Sequence, residues 1–431
     1  MRDRGRGFIG ALAGLAALAL AVPAAAGPEA AAGASPVVPA PTVPAPAASA
    51  PAQPFDACLS DLAAAAEEAG VPRALADAQL TGLAPDPDAV AATRNQAEFA
   101  RPIWAYIEAS VTDAKVADGR AKLEQWAPTL QAIEARYGVD RHVLVAFWGV
   151  ESSYGAVLDD PGIVRPVVRA LASLACGDHG RAAYWRTELI AALKILAAGD
   201  APPERLTGSW AGAMGHTQFM PTVYLARAVD FDGDGRRDIW TSVPDALAST
   251  AAYLVAEGWR PGVRWGYEAR LPEGFDLALA DETTPRSLDA WRALGVRPVR
   301  DDPAADGSLP ATLILPAGAR GPAFLLTQNF PAILRYNTAL SYALTVGLLS
   351  DRLRGEPGLA RDWPRGDRML SADERRDLQT RLDAGSYPVG TVDGKIGPRT
   401  RAALRAYQKA KGLPPDGYAD ATVLERMRAG P

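Results

Sequence analysis

One carboxylate stands out in the sequence because it ends a long apolar run. Glu151 follows the apolar residues 143–150 and precedes Ser152-Ser153-Tyr154-Gly155. A helix that is apolar on every side is buried inside a protein. A carboxyl group at its end loses hydration, which raises its pKa and suits it to general acid catalysis. A structural carboxylate that pairs with an arginine would fit the same pattern, so the helix alone leaves both interpretations open.

A second candidate lies in residues 208–221, which are rich in glycine and alanine. In Ala211-Gly212-Ala213-Met214-Gly215 the small residues let backbone approach a ligand closely. Ser209 and Gln218 add neutral hydrogen-bonding groups, and Phe219 adds a flat apolar face. This combination suits a sugar polymer with amide substituents, whereas a loop packed only for structure is the alternative. His216 lies inside the block, and its role stays open.

The third candidate is an acidic loop that begins at residue 230. Its oxygen-bearing side chains at positions 1, 3 and 5, with glycine at position 6, match the first half of an EF-hand calcium loop. Thr241 occupies position 12, where glutamate is usual, so a later aspartate would have to close the site. The candidate ligands are Asp230, Asp232, Asp234, the Arg236 carbonyl and Asp245. A solvated Asp/Gly turn is the alternative.

Mainly helical elements would position these groups. Hydrophobic periodicity predicts helices over residues 56–69, 116–137, 139–154, 184–198, 243–257 and 337–354. Asp140 is the expected N-cap of the third helix, and Gly155 its expected stop. The Pro- and Gly-rich stretch 263–330, with extended runs such as 311–315, predicts a small β-containing lobe. Beyond residue 366 a separate leucine and glycine pattern predicts a small three-helix module.

The first residues have the pattern of an export signal. A basic start at Arg2, Arg4 and Arg6 precedes an apolar run and Ala24-Ala25-Ala26, which predicts a signal peptide over 1–26. An uncleaved membrane anchor is the alternative. Residues 27–54 are almost all Ala, Pro, Ser, Gly and Val, which is typical of an extended linker. No cysteine closely follows the cleavage region, so we expect no lipoprotein anchor.

Export would place the two cysteines, Cys58 and Cys176, in an oxidising compartment. A disulfide between them and a pair of buried free thiols are both open interpretations. The 431 residues carry a net charge of −5, which argues against a nucleic-acid-binding protein. With three histidines and two cysteines, a multi-histidine zinc enzyme or a disulfide scaffold is not expected.

Taken together and in this order, the motifs resemble the lytic murein transglycosylase B family. The resemblance extends over residues 55–363. It rests on Glu151-Ser152-Ser153-Tyr154-Gly155, residues 211–221, the acidic loop, and Asn329-Phe330 with Arg335-Tyr336-Asn337. Residues 366–431 resemble a three-helix peptidoglycan-binding domain, whose signature is residues 389–400. Tyr407 stands where a phenylalanine is usual in that domain.

The resemblance implies a mainly α fold: a lysozyme-like catalytic domain over 55–363 with a small β-containing lobe, then a peptidoglycan-binding domain over 366–431. It implies that Glu151 is the sole catalytic acid/base. The residues expected to line the glycan groove are Tyr106, Ser209, Gln218, Phe219, Tyr253, Tyr336 and Tyr342. It also implies that the acidic loop binds a structural calcium ion, and no organic cofactor is expected.

The implied activity is that of a peptidoglycan lytic exotransglycosylase, a polysaccharide lyase. Such an enzyme cleaves the β-1,4 bond between N-acetylmuramic acid and N-acetylglucosamine and leaves 1,6-anhydromuramyl ends. A hydrolytic muramidase, with Asp159 or another acid activating water, and a non-catalytic wall-binding protein are the alternatives. The expected protein is a periplasmic monomer. Its expected partners are glycan strands and proteins of wall synthesis or division, not nucleic acid.

Overall fold

A computed structural model describes residues 54–93, 101–303 and 305–430. The predicted signal peptide, 1–26, and all but the last residue of the predicted linker, 27–54, lie outside the described residues. The described chain is mainly helical, as predicted, with one small sheet lobe and a C-terminal helical module. In this part of the chain, no helix has the length and apolar character needed to cross a membrane.

The chain up to residue 256 forms most of the helical body. A short two-stranded sheet joins antiparallel strands β1 (Arg165–Pro166) and β2 (Thr207–Gly208). The helices are α1 (Phe55–Glu68), α2 (Arg73–Leu80), α3 (Pro87–Ala92), α4 (Ile103–Ser110), α5 (Asp113–Gln125), α6 (Ala127–Tyr137), α7 (Arg141–Ser152), α8 (Val167–Gly177), α9 (Ala182–Ala198), α10 (Pro221–Arg227) and α11 (Val243–Ala256).

Helix α7 runs through the core, as its apolar sequence predicts. Asp140 is confirmed as its N-cap, because its carboxylate accepts a 2.7 Å hydrogen bond from the His142 backbone N–H. Residues 143–149 are all buried. The helix ends at Ser152, earlier than expected, because Ser153 adopts a left-handed conformation with φ 50°.

The predicted helix over 116–137 is wrong as a single element. The structure has two helices there, α5 and α6, separated at Trp126, whose φ of −107° and ψ of 18° leave the helical range. Pro128 lies in the first turn of α6, where its missing N–H costs no hydrogen bond. This proline was the sequence signal for the break.

The sheet lobe confirms the expected β-containing region. Its five strands are antiparallel and ordered β4-β6-β7-β3-β5 across the sheet. They are β3 (Gly266–Arg270), β4 (Arg286–Ser287), β5 (Arg297–Pro298), β6 (Pro310–Ile314) and β7 (Ala323–Thr327), with helix α12 (Leu288–Ala293) after β4. A separate apolar core, which includes Trp291, Leu313 and Leu325, holds this lobe together.

The chain then returns to the helical body through α13 (Phe330–Tyr336) and α14 (Leu340–Arg354). The observed helix therefore starts at Leu340, three positions after the predicted start at residue 337. The reason is that Asn337 has an extended backbone (ψ 124°) and ends the preceding helix. Helix α14 packs along α7 and brings its first turn to the C-terminal end of that helix.

The C-terminal module is the expected three-helix unit. Helices α15 (Ala372–Ala384), α16 (Pro398–Ala410) and α17 (Ala421–Arg428) enclose a small leucine core. Gln379 is buried and holds the signature loop: its Oε1 accepts from Gly394 N (2.7 Å) and its Nε2 donates to Lys395 O (3.0 Å). The module contacts the sheet lobe through an ion pair between Arg401 and Glu282.

A disulfide joins α1 to α8, which decides between the two interpretations of the cysteines. Cys58 and Cys176 are bonded, with their Cα atoms 6.1 Å apart. The bridge closes a sequence separation of 118 positions. Restricting the unfolded chain in this way stabilises a protein by about 2–4 kcal/mol.

Candidate active site

Glu151 lies in the last turn of α7, at a sharp corner of the chain. Its side chain is only 3% exposed. After Ser152 the backbone turns through two consecutive left-handed residues, Ser153 (φ 50°) and Tyr154 (φ 60°). Left-handed conformations are uncommon for residues other than glycine and mark sites that the surrounding structure holds in place. We call residues 151–155 the Glu151 corner.

Tyr342, in the first turn of α14, contacts the carboxylate directly. Its hydroxyl donates a short hydrogen bond to Glu151 Oε1, and its ring has no exposed surface. Burial, and secondly the neighbouring Glu151, raise the pKa of Tyr342 well above its usual range. The phenol therefore stays protonated and serves as a donor. This residue was predicted to line the groove, and the structure buries it in contact with the carboxylate.

An aromatic cluster surrounds this pair. Tyr336 is its centre: its ring centroid lies 4.6 Å from Phe147, 5.0 Å from Tyr253 and 5.9 Å from Phe219. Three of these four rings were predicted groove residues, and the structure brings them together. Phe147 was not predicted. Its signal was its spacing, since it lies four positions before Glu151 and so on the same face of α7.

The glycine-rich block folds as a compact turn next to the cluster. Ser209 Oγ accepts from the backbone N–H groups of Ala211 (3.3 Å) and Ala213 (3.2 Å). Gln218 has φ 55°, and its Nε2 donates to Gly215 O at 2.9 Å. Both predicted residues therefore shape the turn itself. Tyr106, the remaining predicted groove residue, is half-buried on α4 and acts electrostatically on Tyr342.

The block also touches the Glu151 corner through His216, whose role the sequence left open. His216 Nδ1 accepts a 3.0 Å hydrogen bond from Trp148 Nε1, and its backbone oxygen accepts from Ser152 Oγ at 2.6 Å. Burial is the main reason that the pKa of His216 falls to about 4. The imidazole is therefore neutral at neutral pH.

Lys115 contacts the corner and the end of α7, and the sequence gave no signal for it. Its Nζ donates to Gly149 O (2.9 Å) and to Ser153 Oγ (3.3 Å). Tyr154 in turn donates from its hydroxyl to the Lys115 backbone oxygen at 2.8 Å. Burial lowers the pKa of Lys115. Asp159, the acid that a hydrolytic mechanism would recruit, is exposed in the turn after the corner.

The acidic loop brings three of its predicted ligands together. One carboxylate oxygen from each of Asp230, Asp232 and Asp245 lies within 4.8 Å of the other two. Asp245 is fully buried and accepts from the backbone N–H groups of Phe231 (2.8 Å), Asp232 (3.3 Å) and Asp238 (2.9 Å). Burial raises the pKa of Asp245, and these amides act against that shift.

Asp234, another predicted ligand, is not among these three converging carboxylates. The Asp234 carboxylate accepts from Arg236 N at 2.8 Å and is exposed. Carboxylate and backbone oxygens are the ligands that calcium prefers in proteins. Two carboxylates from the acidic turn and one from the first turn of α11 thus converge in a way that fits a calcium ion, and backbone hydrogen bonds to Asp230 already shape the turn.

A cavity of about 240 Å³ lies away from Glu151, between the C-terminal end of α14 and the sheet lobe. Arg264 pairs there with Asp351 at 2.7 Å, and Arg300 pairs with Glu356 at 3.0 Å. Its charged walls neutralise each other, as at a junction between two parts of a chain.

Comparisons with known proteins match the chain in two segments. The family described as "Transglycosylase SLT domain" matches residues 54–351, and a peptidoglycan binding domain family matches residues 371–427. The chain is 33% identical over 246 residues to membrane-bound lytic murein transglycosylase B of Escherichia coli K12, covering 56% of this chain. The match spans 64% of that relative's length, slightly less than two thirds.

Solved structures resemble most of the molecule. SltB3 from Pseudomonas aeruginosa, in complex with NAG-anhNAM-pentapeptide, is 46% identical, with a TM-score of 0.82. The match covers 87% of this chain and 100% of that one. The Escherichia coli lytic transglycosylase Slt35, in complex with calcium, is 28% identical, with a TM-score of 0.57. That match covers 69% of this chain and 93% of the other.

Proposed function

The chain belongs to the transglycosylase SLT domain family, and on that premise we propose that it is a lytic transglycosylase of peptidoglycan. It cleaves the β-1,4 bond between N-acetylmuramic acid and N-acetylglucosamine and leaves 1,6-anhydromuramyl ends. The observation that carries this proposal is the placement of Glu151. It is a carboxylate buried at the end of an apolar helix, hydrogen-bonded by a phenol and bordered by an aromatic cluster.

In the first step Glu151, in its neutral form, donates its proton to the glycosidic oxygen. The bond from that oxygen to C1 of the muramyl sugar breaks, and the N-acetylglucosamine side leaves as an alcohol. The carboxyl is suited to this because its apolar surroundings disfavour the charged form. The N-acetyl group of the muramyl sugar stabilises the positive charge that develops at C1.

In the second step the carboxylate of Glu151 acts as the base. It takes the proton of the C6 hydroxyl of the same muramyl sugar, and that oxygen forms a bond to C1. The carboxyl is neutral again, and no water has been consumed. The hydrogen bond from Tyr342 holds Glu151 Oε1 in place, so the carboxyl group keeps the same position in both proton transfers.

The groove residues would bind the glycan on the open side of the carboxylate. Ser209 and Gln218 offer neutral polar groups for N-acetyl and hydroxyl substituents, while Phe219, Tyr253 and Tyr336 offer aromatic faces for sugar rings. The three rings support this by lying together, with centroids 5.0 to 6.1 Å apart. Tyr106 would contribute from α4, as the sequence predicts.

The acidic loop would hold a structural calcium ion, with Asp230, Asp232 and Asp245 as its main ligands and Asp234 and the Arg236 carbonyl as additional ones. The three converging carboxylates support this. A bound ion would offset their mutual repulsion and fix the turn that leads into α11. The related Slt35 has been solved in complex with calcium.

The remaining parts of the chain would bring the enzyme to its polymer. The signal peptide 1–26 would export it to the periplasm, and the linker 27–54 would separate the export signal from the folded body. The catalytic domain over 55–363 would act on glycan strands held by the peptidoglycan-binding domain over 366–431. We propose that it acts as a monomeric exotransglycosylase, together with proteins of wall synthesis or division.

Hydrolysis with Asp159 as a second acid is the competing reaction. A glycosidase that uses two carboxylates holds them about 5–10 Å apart on either side of the bond. Asp159 is exposed, whereas Glu151 is enclosed by rings, which favours the single-carboxylate route.

The test replaces Glu151 by glutamine in the full chain. A glutamine keeps the shape but neither donates nor accepts the proton, so release of soluble fragments from purified peptidoglycan should fall by about a thousandfold or more. Glu188 provides a matched control, because it is also 3% exposed but its carboxylate accepts its hydrogen bonds from Thr222. Glu188→Gln should keep its activity. Loss of fragment release in both variants, or in neither, would contradict the assignment of Glu151.

A further inference from the structure

We propose that His216 is a positioning residue that holds the Glu151 corner in its reactive geometry. This inference rests on the proposed function, because it concerns how the catalytic carboxylate is placed. One contact joins His216 to helix α7, two join it to the corner, and a fourth joins it to the segment that follows the acidic loop.

The first contact is between the side chain of His216 and helix α7. Trp148 Nε1 donates to His216 Nδ1 at 3.0 Å, and the two rings meet edge to face with their centroids 5.5 Å apart. An indole N–H is only a donor, so Nδ1 must carry its lone pair and the imidazole hydrogen is on Nε2. The contact therefore requires a neutral histidine in one tautomer.

The second contact is through the backbone of His216. Its carbonyl oxygen accepts from Ser152 Oγ at 2.6 Å, and the same hydroxyl oxygen accepts from Gly155 N at 3.0 Å. Ser152 directly follows Glu151, so this pair of bonds fixes the direction in which the chain leaves the catalytic residue.

The third contact is the packing of the imidazole on Gly155. Gly155 has φ 85°, and a Cβ atom there would lie 2.6 Å from His216 Cε1. No side chain fits between the two residues, so the ring rests on the backbone of the corner. Lys115 makes further contacts, to Gly149 O in α7 and to Ser153 Oγ in the corner.

The fourth contact anchors His216 itself. Its backbone N–H donates to Ile239 O at 2.9 Å, in the segment between the acidic loop and α11. The charged groups that act on the imidazole are Asp238, Lys122 and Asp159. His216 therefore links the segment before α11 to the last turn of α7.

This geometry matters because proton transfer is sensitive to distance. A displacement of about 1 Å in a catalytic group costs about a hundredfold in rate. Without the contacts of the His216 side chain, the last turn of α7 can move relative to Tyr342 and the groove. Substrate binding depends on other residues and should change less.

The experiment compares His216→Leu with His216→Asn in the full chain, on purified glycan strands. Leucine removes the acceptor for Trp148, and kcat should fall by about ten- to a hundredfold with KM within about twofold of the original. Asparagine places an oxygen near the position of Nδ1, so its kcat should return to within about threefold of the original. His179→Leu, the same change at an exposed histidine, is the matched control.

Two results would overturn the inference. One is a His216→Leu kcat within about twofold of the original, and the other is an equal loss in the leucine and asparagine variants. If the leucine variant fails to fold, Trp148→Phe removes the donor of the same hydrogen bond and should show the same split between kcat and KM. Glu151→Gln is measured alongside. If the Glu151→Gln variant is active, the proposed function is contradicted. If it is inactive while the His216 variants are unchanged, only this inference is contradicted.

Discussion

Two regions of the molecule bury a carboxylate, and they do so in different ways. Glu151 is 3% exposed among apolar side chains and receives a hydrogen bond from the phenol of Tyr342. Asp245 is fully buried but receives three hydrogen bonds from backbone N–H groups. Backbone donors cannot move away or change protonation, and at Asp245 they act against the rise in pKa that burial causes. Burial alone therefore does not make a catalytic acid, and the donors around the carboxylate decide its role.

We therefore expect the Glu151 corner to carry the proton transfers and the acidic loop to stabilise the fold. In the proposed mechanism a proton leaves and returns to Glu151 in each turnover, which suits a side-chain donor such as the phenol of Tyr342. A calcium ligand must stay charged, which suits a turn lined by amides. Substitutions in the two regions should consequently change different measured quantities.

Tyr342→Phe should give the largest effect after loss of Glu151 itself. It removes the hydrogen bond to Glu151 Oε1 while keeping the ring in its buried position. Hydrogen bonds to charged groups contribute about 1.5–3 kcal/mol, so kcat should fall by about ten- to a hundredfold. The measurement is steady-state release of soluble fragments from purified glycan strands, with the melting temperature recorded for the same sample.

The matched control is Tyr224→Phe, another fully buried tyrosine, whose hydroxyl donates to Arg237 O at 2.7 Å beside the acidic loop. It should lower the melting temperature and leave kcat within about twofold of the original. If Tyr224→Phe reduced kcat as strongly as Tyr342→Phe, the separation of roles between the two regions would be lost.

Asp245→Asn should have a smaller effect on activity and a clear effect on stability. An asparagine replaces one carboxylate oxygen by an NH2 group, which cannot accept a hydrogen bond from the backbone N–H that faces it. Leaving a buried donor without an acceptor lowers the free energy of unfolding by about 1–3 kcal/mol. We expect a lower melting temperature, loss of the stabilisation that added calcium gives, and kcat within about twofold of the original when folded. Thermal unfolding with calcium and with a chelator measures this.

Asp234→Asn is the control within the same loop. Its carboxylate is exposed and accepts a single hydrogen bond from Arg236 N. Asparagine is also a common calcium ligand at this loop position, so the calcium-induced shift should largely persist. An unchanged melting temperature with and without calcium in the original protein would contradict a structural ion in this loop.

Much of this arrangement could be predicted from the sequence, because it rests on local patterns. The apolar run 143–150 predicted the buried helix that ends at Glu151, and the Asp and Gly spacing predicted the acidic turn. The Pro- and Gly-rich stretch predicted the sheet lobe. Each of these signals lies within a few residues of the feature that it predicts.

The rest depends on packing between distant segments. Tyr342 was predicted in a helix, but only the contact between α7 and α14 shows that its hydroxyl faces Glu151. The contact of His216 with Trp148 joins residues 68 positions apart, and no local pattern indicates it. The pairing of Cys58 with Cys176 likewise depended on α1 lying against α8.

In the proposed reaction the muramyl C6 hydroxyl, and not water, attacks C1 of the sugar held at Glu151. Mass spectrometry of the strand ends released from purified peptidoglycan, in water enriched in oxygen-18, distinguishes the two nucleophiles. We expect anhydromuramyl ends, one water molecule lighter than reducing ends and free of the heavy isotope. Reducing muramyl ends that carry oxygen-18 would contradict this reaction and would establish hydrolysis instead.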